Sequence, residues 1–576
     1  MVSPPATDPA SEVADVKNAI NVNVGIIGHI DSGKTSLSKV LSEVASTASM
    51  DKHPQSQARG ITLDLGFSSF SRPAPEHFKK EGYDHVQMCL VDCPGHASLI
   101  RTIIGGAQIM DMCCLIVDIN KGMQTQTAEC LVLAEILAQR LVVVLNKVDM
   151  IPVEQREKKI ALVTNKFRKV FANTCFGEQI EIVATSAAPD GEKVGIQNLL
   201  DTLLAVKVPK RDPSGPFFFA FDHCFSVKGQ GTVITGTLLS GQVKPGDVIE
   251  NPVASVNKHK VKSLQMFKKP CKLAKQGDRV ALCVPGLDTT NLERGILTDG
   301  KIAIPTMSSC ICVCRKIKYF KSQVLSKAKF HISIGHTTVM GKLQFFKKAK
   351  SDRVASPQQD AGSVMEDLAE GVSSLGVGGL LKSTQKKWPK TFNGDALYDY
   401  LDEMVGEGEE GFDENTFCLV EFEKPVSVPI GSMLIGSKLD FEIHSPSCRM
   451  AFFGKMLCTG PVEQEEFANL RIMKPKERSG FMERIDKNDK RVVICKNLVK
   501  KETDISLFIG LEVVHRSSGL KGKITSSFGK SGKVKVTFDD EVVVEADDKG
   551  NVSSQEEIVL HYRKYIYDKS TRFAQK

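Results

Sequence analysis

The residues with the clearest chemistry lie near the N-terminus, in the stretch NVNVGIIGHIDSGKTSLSKVL. Its loop GHIDSGKT fits the pattern GxxxxGK[ST] and stands between a short apolar strand and a helical pattern. In such a loop, glycines let backbone N–H groups wrap a phosphate closely at a helix N-terminus. Lys34 would reach the β and γ phosphates, and the Thr35 hydroxyl would bind Mg²⁺. The predicted nucleotide-binding residues here are Asp31, Ser32, Gly33, Lys34, Thr35 and Ser36.

A second motif, LVDCPGH, ends a predicted strand with Asp92. The Asp92 carboxylate would hold Mg²⁺ through water, and Gly95 would lie next to the γ-phosphate. A phosphate loop followed by an acidic strand end is typical of nucleoside triphosphatases. These two motifs therefore predict one site for the phosphates and their metal ion.

A third motif, LVVVLNKVD, is an apolar strand that ends in Asn146, Lys147 and Asp149. A carboxylate there can accept hydrogen bonds from the ring N–H and the exocyclic amine of guanine together. Adenine offers no such pair of donors. Farther on, ATSA supplies Ser186 and Ala187 to close over the base. In this order, the motifs predict a domain that binds and hydrolyses GTP.

The segment QARGITLDLGF lies between the first two motifs. Its Arg59-Gly60-Ile61-Thr62 run, taken with DCPGH, resembles the translational GTPases, the family of elongation factor Tu. The resemblance implies that Thr62 closes on Mg²⁺ and the γ-phosphate. It also implies that His96 is the catalytic residue, which orients the attacking water. In some members of the family a monovalent cation lies at the position of Asp31.

A carboxylate and an imidazole stand side by side in FAFDHCFSVKGQGTVITG, as Asp222 and His223, and KQGDRVALCV contains Arg279. General aminoacyl-tRNA carriers of the family usually have glutamate and aspartate in the first stretch and asparagine in the second. The chain instead resembles the selenocysteine-specific elongation factors, from about residue 20 to its end, including HISIGHTTVMGK. The resemblance implies an amino-acid pocket between the GTPase domain and the second domain.

The chemistry of these three residues agrees with a selenocysteine cargo. A selenol ionises well below the roughly 8.5 of a thiol, so selenocysteine is an anion at neutral pH while serine is neutral. Arg279 and a protonated His223 would favour the anion, because opposite a neutral hydroxyl their buried charge would stay unpaired. Asp222 would hold both partners in place. An ordinary surface ion pair at a barrel rim is the alternative interpretation.

The chain of 576 residues is long enough for several domains. We predict a multidomain α/β and β protein with a flexible N-terminal extension (1–20), a doubly wound P-loop GTPase domain (21–208), an antiparallel β-barrel (216–304), a second antiparallel β-barrel (305–468) and a C-terminal domain (469–576). Glycine, serine and acidic residues at about 350–415 predict a disordered insertion in the second barrel. Within the insertion we predict one short helix, DALYDYLDEMV, and Trp388 as a local anchor.

The C-terminal domain is predicted to be a small, basic, β-barrel-like domain with lysines in its loops, namely Lys521, Lys523, Lys530, Lys533 and Lys535. Such a patch suits contacts with RNA phosphates at or near the ribosome, although a solubilising surface also explains it. Bacterial relatives end in winged-helix modules that bind an mRNA hairpin. This domain indicates the eukaryotic type, which implies a separate protein that binds the selenocysteine-insertion RNA element and docks on the basic domain.

The amino-acid composition further limits the kind of protein that this chain can be. With 41% hydrophobic and 25% charged residues and a net charge of +8, the chain is typical of a globular protein with some preference for anionic partners. Its first twenty residues, with acids, prolines and no arginine, do not have the pattern of a secretory or transit signal, and we find no apolar run of the roughly 18 residues that a membrane span needs. Its 16 cysteines lack the spacing of a zinc site. We therefore expect a cytoplasmic monomer with free thiols that does not contact membranes. An additional nuclear pool of the protein is an alternative.

Together these inferences predict an elongation factor that binds selenocysteinyl-tRNA with GTP and Mg²⁺ and delivers it to the ribosome at recoded UGA codons. Ribosome-stimulated hydrolysis of GTP to GDP would then release the tRNA. One alternative is a general aminoacyl-tRNA carrier or an initiator-tRNA-binding GTPase, the gamma subunit of translation initiation factor two. Another is a non-enzymatic RNA-binding adaptor with a decayed nucleotide site.

Overall fold

The structure is a computed structural model, and most of the chain is described in it. The described residues are 18–42, 44–45, 65–94, 109–137, 140–172, 174–188, 191–208, 210–227, 231–253, 255–287, 294–349, 388–440, 448–460, 470–500, 504–529, 532–547, 549–552, 556–566 and 573–575. Residues 1–17 of the predicted N-terminal extension, the insertion up to residue 387 and Lys530 lie outside these residues, whereas Ala19 and Ile20 of the predicted extension belong to the first strand.

The described part of the first domain contains seven strands: β1 (Ala19–Gly28), β2 (Val44–Ala45), β3 (Gly66–Pro73), β4 (His85–Asp92), β5 (Met112–Asp118), β6 (Leu141–Asn146) and β7 (Glu181–Ala184). They form one sheet in the order β2-β3-β4-β1-β5-β6-β7, in which β2 and β3 are antiparallel to their neighbours and the others are parallel. Its helices are α1 (Lys34–Leu41), α2 (Glu76–Lys79), α3 (Thr125–Leu137), α4 (Val153–Phe171) and α5 (Ile196–Ala205), with a 3₁₀-helix at Val148–Met150.

Alternate residues of the central strands enter two different cores. In β5, Leu115 and Val117 belong to one apolar cluster, and Cys114 and Ile116 belong to the other. Successive side chains of a strand point to opposite faces, so these clusters lie on the two sides of the sheet. Burial on both faces is what a parallel sheet requires, and it explains why the strands are continuous apolar runs. The predicted doubly wound domain is confirmed.

The second domain consists of short antiparallel strands: β8 (Phe218–Val227), β9 (Gly231–Ser240), β10 (Gln242–Val243), β11 (Val248–Asn251), β12 (Ser255–Lys260), β13 (Ser263–Met266), β14 (Lys269–Cys271), β15 (Ala274–Lys275), β16 (Arg279–Val284) and β17 (Gly295–Thr298). Eight of them form a sheet in the order β12-β11-β17-β8-β9-β16-β13-β14, and β10 pairs with β15. Phe219 and Phe221 of β8 lie in the core that the sheet surrounds.

A register irregularity in β8 explains where its polar residues lie. The pairing of β8 with β9 shifts between Phe221 and His223. Phe221 belongs to the core and Cys224 packs against it, so the usual alternation is displaced by one residue. Both Asp222 and His223 therefore lie outside the apolar core.

The third domain contains β18 (Thr306–Lys316), β19 (Lys329–Ile334), β20 (Thr337–Lys348), β21 (Tyr398–Leu401), β22 (Thr416–Ser427), β23 (Met433–Ser437) and β24 (Met450–Thr459). Six of these close into an antiparallel barrel in the order β19-β23-β24-β18-β22-β20, and β20 returns to β19. Closure removes unpaired strand edges. The barrel interior includes Cys310, Cys312 and Cys314, which are buried free thiols as predicted.

The acidic segment before β22 differs from the prediction. Residues 388–415 are described, and residues 398–401 form the strand β21, which pairs with β20, where we predicted a short helix. Tyr398 and Tyr400 are buried and alternate with more exposed residues. This period of two is the pattern of a strand, and the acidic surroundings obscured it. Trp388 is 7% exposed and stacks on Phe453, so it anchors the segment to the barrel as predicted.

The C-terminal domain contains β25 (Ile472–Ile485), β26 (Val492–Lys496), β27 (Glu512–His515), β28 (Lys521–Phe528), β29 (Lys533–Phe538), β30 (Glu557–Tyr565) and β31 (Phe573–Ala574), with a 3₁₀-helix at Ile505–Phe508. Pairings run β25-β26-β29-β28-β27-β30 and return from β30 to β25, which makes a closed ring of six strands. Parallel pairing of β21 with β25 joins this domain to the third. The loop placement predicted for the lysines is wrong, since Lys521 and Lys523 lie in β28 and Lys533 and Lys535 in β29.

Polar contacts hold the first domain against the second. Asn21 donates from Nδ2 to Asp278 Oδ1 at 2.6 Å. Arg211, in the connection between the domains, donates to both carboxylate oxygens of Asp111 at 2.8 and 2.6 Å. Because Asp278 directly precedes Arg279, the Asn21 contact fixes the start of β16 against β1.

The third domain also packs against the first. Glu129 in α3 accepts from Arg449 Nε and Nη2 at 2.9 and 2.7 Å, and both side chains are buried. Cys448 and Met450 join one of the two apolar cores of the first domain. In the described part of the chain, no helix combines the length and apolar character needed to cross a membrane.

Candidate functional site

The loop between β1 and α1 has the backbone that the phosphate-binding motif requires. Asp31 and Gly33 have positive φ angles of 59° and 91°, and Lys34 begins α1. A Cβ on Gly33 would lie 2.2 Å from Asn146 Nδ2, so only glycine fits there. Asn146 Nδ2 donates to Ser32 O at 3.0 Å and thereby ties the loop to the end of β6.

The charged and hydroxyl groups of the loop are arranged for an anion. Lys34 is buried and donates from Nζ to His29 O at 2.7 Å, and burial lowers the pKa of its amine. Among the described residues, the buried Ser32 hydroxyl has no hydrogen-bond partner. A buried cation and an unsatisfied hydroxyl in a glycine-containing loop are the groups that a phosphate would satisfy. Asp31 is exposed, and Ser36 lies in the first turn of α1.

The predicted metal ligands Thr35 and Asp92 meet. Thr35 Oγ1 donates to Asp92 Oδ2 at 2.6 Å, at the point where β4 ends and α1 begins. A hydroxyl and a carboxylate are the hard oxygen donors that Mg²⁺ prefers, so the residues present fit this ion. The other predicted members of this part of the site, Thr62, Gly95 and His96, lie outside the described residues. Their roles remain predictions.

The predicted base-binding residues lie together at the ends of β6 and β7. Ser186 donates from Oγ to Asp149 Oδ1 at 2.7 Å, which orients the carboxylate predicted to accept from guanine. Thr185 donates from Oγ1 to Asn146 Oδ1 at 3.3 Å. Ala187 is buried next to them.

Sequence reasoning missed one residue of the base site. Asp118 ends β5 and pairs with Lys147, whose Nζ lies 3.0 Å from Asp118 Oδ2. Burial opposes the charged form of Asp118, but the Asn120 N–H and Lys147 outweigh burial and lower the pKa of the carboxyl. Lys147 has a positive φ of 68°, and this ion pair fixes its side chain. The apolar run CCLIVD, which ends in an acid as LVD does at Asp92, was the available signal.

The second cluster, Asp222, His223 and Arg279, is assembled from β8 and β16. Arg279 donates from Nη1 and Nη2 to the two oxygens of Asp222 at 2.6 and 2.7 Å. His223 Nδ1 lies 2.7 Å from Asp222 Oδ1. Burial disfavours the charged carboxylate, but Arg279 and His223 outweigh it and lower the pKa of Asp222 to about 2. We call these three residues the cargo cluster.

The cargo cluster lies against the GTPase domain. Arg279 is 5% exposed, and its guanidinium carbon lies 3.1 Å from the ring centroid of Phe67 in β3. The His223 ring meets the same phenylalanine edge-on, with ring centroids 6.4 Å apart. A solvent-exposed ion pair at the rim of a barrel, the alternative interpretation, does not describe this burial. Sequence reasoning did not identify Phe67.

A cavity adjoins the cargo cluster where the first three domains meet. Its walls include Leu65 from the first domain, Asp222 and Arg294 from the second, and His336 and Met433 from the third. Burial, with a smaller effect from Arg294, lowers the pKa of His336. The cluster therefore borders space that opens between domains, where ligands commonly bind.

Family models cover most of the chain. Residues 20–208 match "Elongation factor Tu GTP binding domain" and 231–297 match "Elongation factor Tu domain 2". With the phosphate and base sites above, these matches define a translational GTPase. Residues 311–454 match "Selenocysteine-specific elongation factor, eukaryotes, 3rd domain" and 468–571 match "eEFSec C-terminal RIFT domain". The chain belongs to the selenocysteine-specific elongation factors.

Relatives that match the chain over most of their length belong to the same family. The chain is 44% identical over 531 residues to the selenocysteine-specific elongation factor of Mus musculus, covering 90% of this chain and 88% of that protein. It is 31% identical over 529 residues to that of Methanocaldococcus jannaschii, covering 91% and 95%. It also resembles the crystal structure of translation elongation factor SelB from Methanococcus maripaludis in complex with the GTP analogue GppNHp, with a TM-score of 0.64, 25% identity and coverage of 96% and 99%. The predicted family, its eukaryotic type and its GTPase activity are confirmed.

Proposed function

We propose that the protein binds selenocysteinyl-tRNA in its GTP state, delivers it to the ribosome at recoded UGA codons and releases it when GTP is hydrolysed. The observation that carries this proposal is the buried cargo cluster between the GTPase domain and the second domain. Arg279, bound edge-on by Asp222 and covered by Phe67, offers a fixed cationic group in a largely dry site. The family membership supports the same assignment.

The selectivity that we propose comes from charge. With His223 protonated, the cargo cluster carries one excess positive charge, because Asp222 neutralises only one of the two cations. A selenolate would balance that charge. The serine hydroxyl would leave it unpaired in a buried site, which is unfavourable by several kcal/mol. A site that leaves buried polar groups unsatisfied can discriminate by about 10⁴.

The test compares tRNA charged with selenocysteine or with serine. We expect the wild type, loaded with a GTP analogue, to bind selenocysteinyl-tRNA much more tightly. Arg279→Ala should remove most of that preference while leaving seryl-tRNA binding similar. Lys301→Ala is a matched control, because Lys301 is a cation of the same domain that pairs with Asp299 and is mostly exposed. Equal retention of both tRNAs by the wild type would exclude the selective pocket.

For GTP hydrolysis we propose that Lys34 contacts the β and γ phosphates and that Thr35, Thr62 and Asp92 hold Mg²⁺, directly or through water. The ion would neutralise charge on the phosphates. His96 would orient the attacking water. The meeting of Thr35 with Asp92 and the buried Lys34 support this arrangement. Ribosome-stimulated GTP turnover that is lost in His96→Ala is the expected result, and turnover unchanged in that variant would refute the role of His96.

We further propose that the C-terminal domain contacts RNA and docks a separate protein that binds the selenocysteine-insertion element. The exposed side chains of Lys521 and Lys523 on β28 support this surface. Replacing Lys523 with Glu should weaken RNA binding and make its salt dependence shallower. An unchanged salt slope would indicate a solubilising surface instead.

We also propose that the protein acts in the cytoplasm, which the 16 free thiols support because reduced cysteines persist there. Fractionation of cells should find it with ribosomes. A mainly nuclear distribution would contradict this.

A further inference from the structure

Phe67 covers the face of the guanidinium that Asp222 holds by its edge. The Phe67 side chain is fully buried, and the guanidinium carbon of Arg279 lies 3.1 Å from its ring centroid. The His223 ring stands at 85° to the same ring. One aromatic side chain of the GTPase domain therefore contacts two of the three members of the cargo cluster, both of which belong to the second domain.

The strand that carries Phe67 also borders the predicted metal site. In the pairing of β3 with β4, Gly66 lies opposite Asp92 and Phe67 lies opposite Val91. Asp92 accepts from Thr35 Oγ1, the other described metal-site residue. Gly66, the strand neighbour of Asp92, is thus followed directly by Phe67, whose ring lies on Arg279. In the sequence, the predicted switch residue Thr62 stands five positions before Phe67.

The surroundings of Phe67 leave it little freedom to move independently of β3. Phe67 belongs to the apolar core of the first domain together with Val91, its partner across the sheet. Packed side chains in such a core move with their backbone because interiors are dense. A displacement of β3 relative to β16 would therefore carry the ring away from Arg279.

We propose that Phe67 is a positioning residue that couples the nucleotide state of the GTPase domain to the cargo cluster. In the GTP state the ring covers Arg279, excludes water and holds its charge toward the cargo. When the γ-phosphate leaves and the contacts of Asp92 change, β3 shifts and the ring uncovers the guanidinium, which lowers the affinity for a selenolate. This inference rests on the proposed function, because it assumes that the cluster binds selenocysteine.

The test uses two ring-free variants, Phe67→Leu and Phe67→Met, a ring-retaining variant, Phe67→Tyr, and the control Phe70→Leu. Phe70 is a buried phenylalanine of the same strand that packs in the other core of the domain. Dissociation constants are measured for selenocysteinyl- and seryl-tRNA with the full chain loaded with a GTP analogue or with GDP. Nucleotide titrations establish that each protein is fully loaded.

The wild type should prefer selenocysteinyl-tRNA strongly with the GTP analogue and weakly with GDP. Loss of a desolvated cation–π contact should reduce the preference in the GTP state about tenfold in the ring-free variants and bring the two nucleotide states closer together. Phe67→Tyr and Phe70→Leu should keep the wild-type pattern. A merely structural role for Phe67 would weaken both tRNAs equally in both states.

Two failures can be told apart. If the wild type discriminates and either folded ring-free variant keeps its preference and its dependence on nucleotide, Phe67 has no coupling role and the proposed function stands. Equal weakening of both tRNAs likewise overturns the coupling role. If the wild type itself does not discriminate, the proposed function fails and the inference fails with it.

Discussion

Asp222→Asn tests the electrostatic centre of the cargo cluster. The pKa of Asp222 is lowered to about 2, although burial alone would raise it. Relative to an ordinary aspartate, this lowered pKa favours the ionised carboxylate in the folded state by about 2 to 3 kcal/mol. The substitution also leaves Arg279 buried without its bidentate acceptor. We expect the free energy of unfolding of the second domain to fall by about 3 kcal/mol at pH 7.

The sign of the pH dependence follows from the lowered pKa. A carboxylate whose pKa is lower in the folded than in the unfolded state contributes its full stability above the unfolded value and loses it as the pH falls through the folded value. The part of the stability difference between the wild type and Asp222→Asn that comes from the ionised carboxylate should therefore shrink as the pH falls from about 4 toward 2.

Hydrogen exchange of the β8 and β16 amides, combined with urea unfolding at each pH, measures this difference in the domain concerned. Asp247→Asn is the control, because the Asp247 carboxylate accepts a local backbone hydrogen bond within its turn, from Lys244 N at 2.9 Å. It should lower stability by about 1 kcal/mol or less. If Asp222→Asn has no larger effect than the control, or if its effect is the same at pH 3 as at pH 7, the electrostatic account of the cluster is wrong.

Two further predictions address the other parts of the molecule. Gly33→Ala should abolish most GTP binding in a nucleotide titration, because the added Cβ would lie 2.2 Å from Asn146 Nδ2. The control Gly122→Ala, at a positive φ of 69° with open space around it, should keep its affinity for GTP. Equal affinities of the two variants would contradict the close packing at Gly33. A double-mutant cycle of Glu129→Ala and Arg449→Ala should show a coupling energy of about 2 kcal/mol or more in the free energy of unfolding, since each single change leaves a buried charge unpaired. Additive effects of the two changes would contradict a buried ion pair between the first and third domains.

The phosphate and base sites could be predicted from sequence because each is a local structure. A strand, a glycine-containing turn and a helix N-terminus lie within about twenty residues, and residues 28–35 contain the glycines, the lysine and the threonine of the phosphate-binding motif. The ends of neighbouring parallel strands meet at one edge of the sheet, so Asp92 and Asn146 could be placed in one site from the order of the motifs.

Contacts between domains could not be predicted in this way. Glu129 and Arg449 are 320 residues apart, and nothing in their local patterns distinguishes them from exposed charges. In the sequence, the pattern around Phe67 is typical of an ordinary core residue of a strand. Only the docking of the second domain places Arg279 on the Phe67 ring. The cargo cluster itself was predicted from family departures at Asp222 and Arg279, but its burial depends on that docking.

The strand β21 shows a different limit. Its alternating tyrosines are a strand signal, but four residues among glycines and acids carry too little pattern to outweigh their surroundings. Pairing with β20 and β25, which are distant in sequence, supplies the stability that the segment lacks alone.

The most direct measurement is the ratio of the two dissociation constants of the wild-type protein, loaded with a GTP analogue at physiological salt, for one tRNA body esterified with selenocysteine or with serine. A buried cationic cluster that faces the cargo predicts that the selenocysteine form binds tighter by orders of magnitude, approaching about 10⁴. A ratio near one would contradict the central claim, and it would leave a GTPase that carries tRNA without sensing the charge on its amino acid.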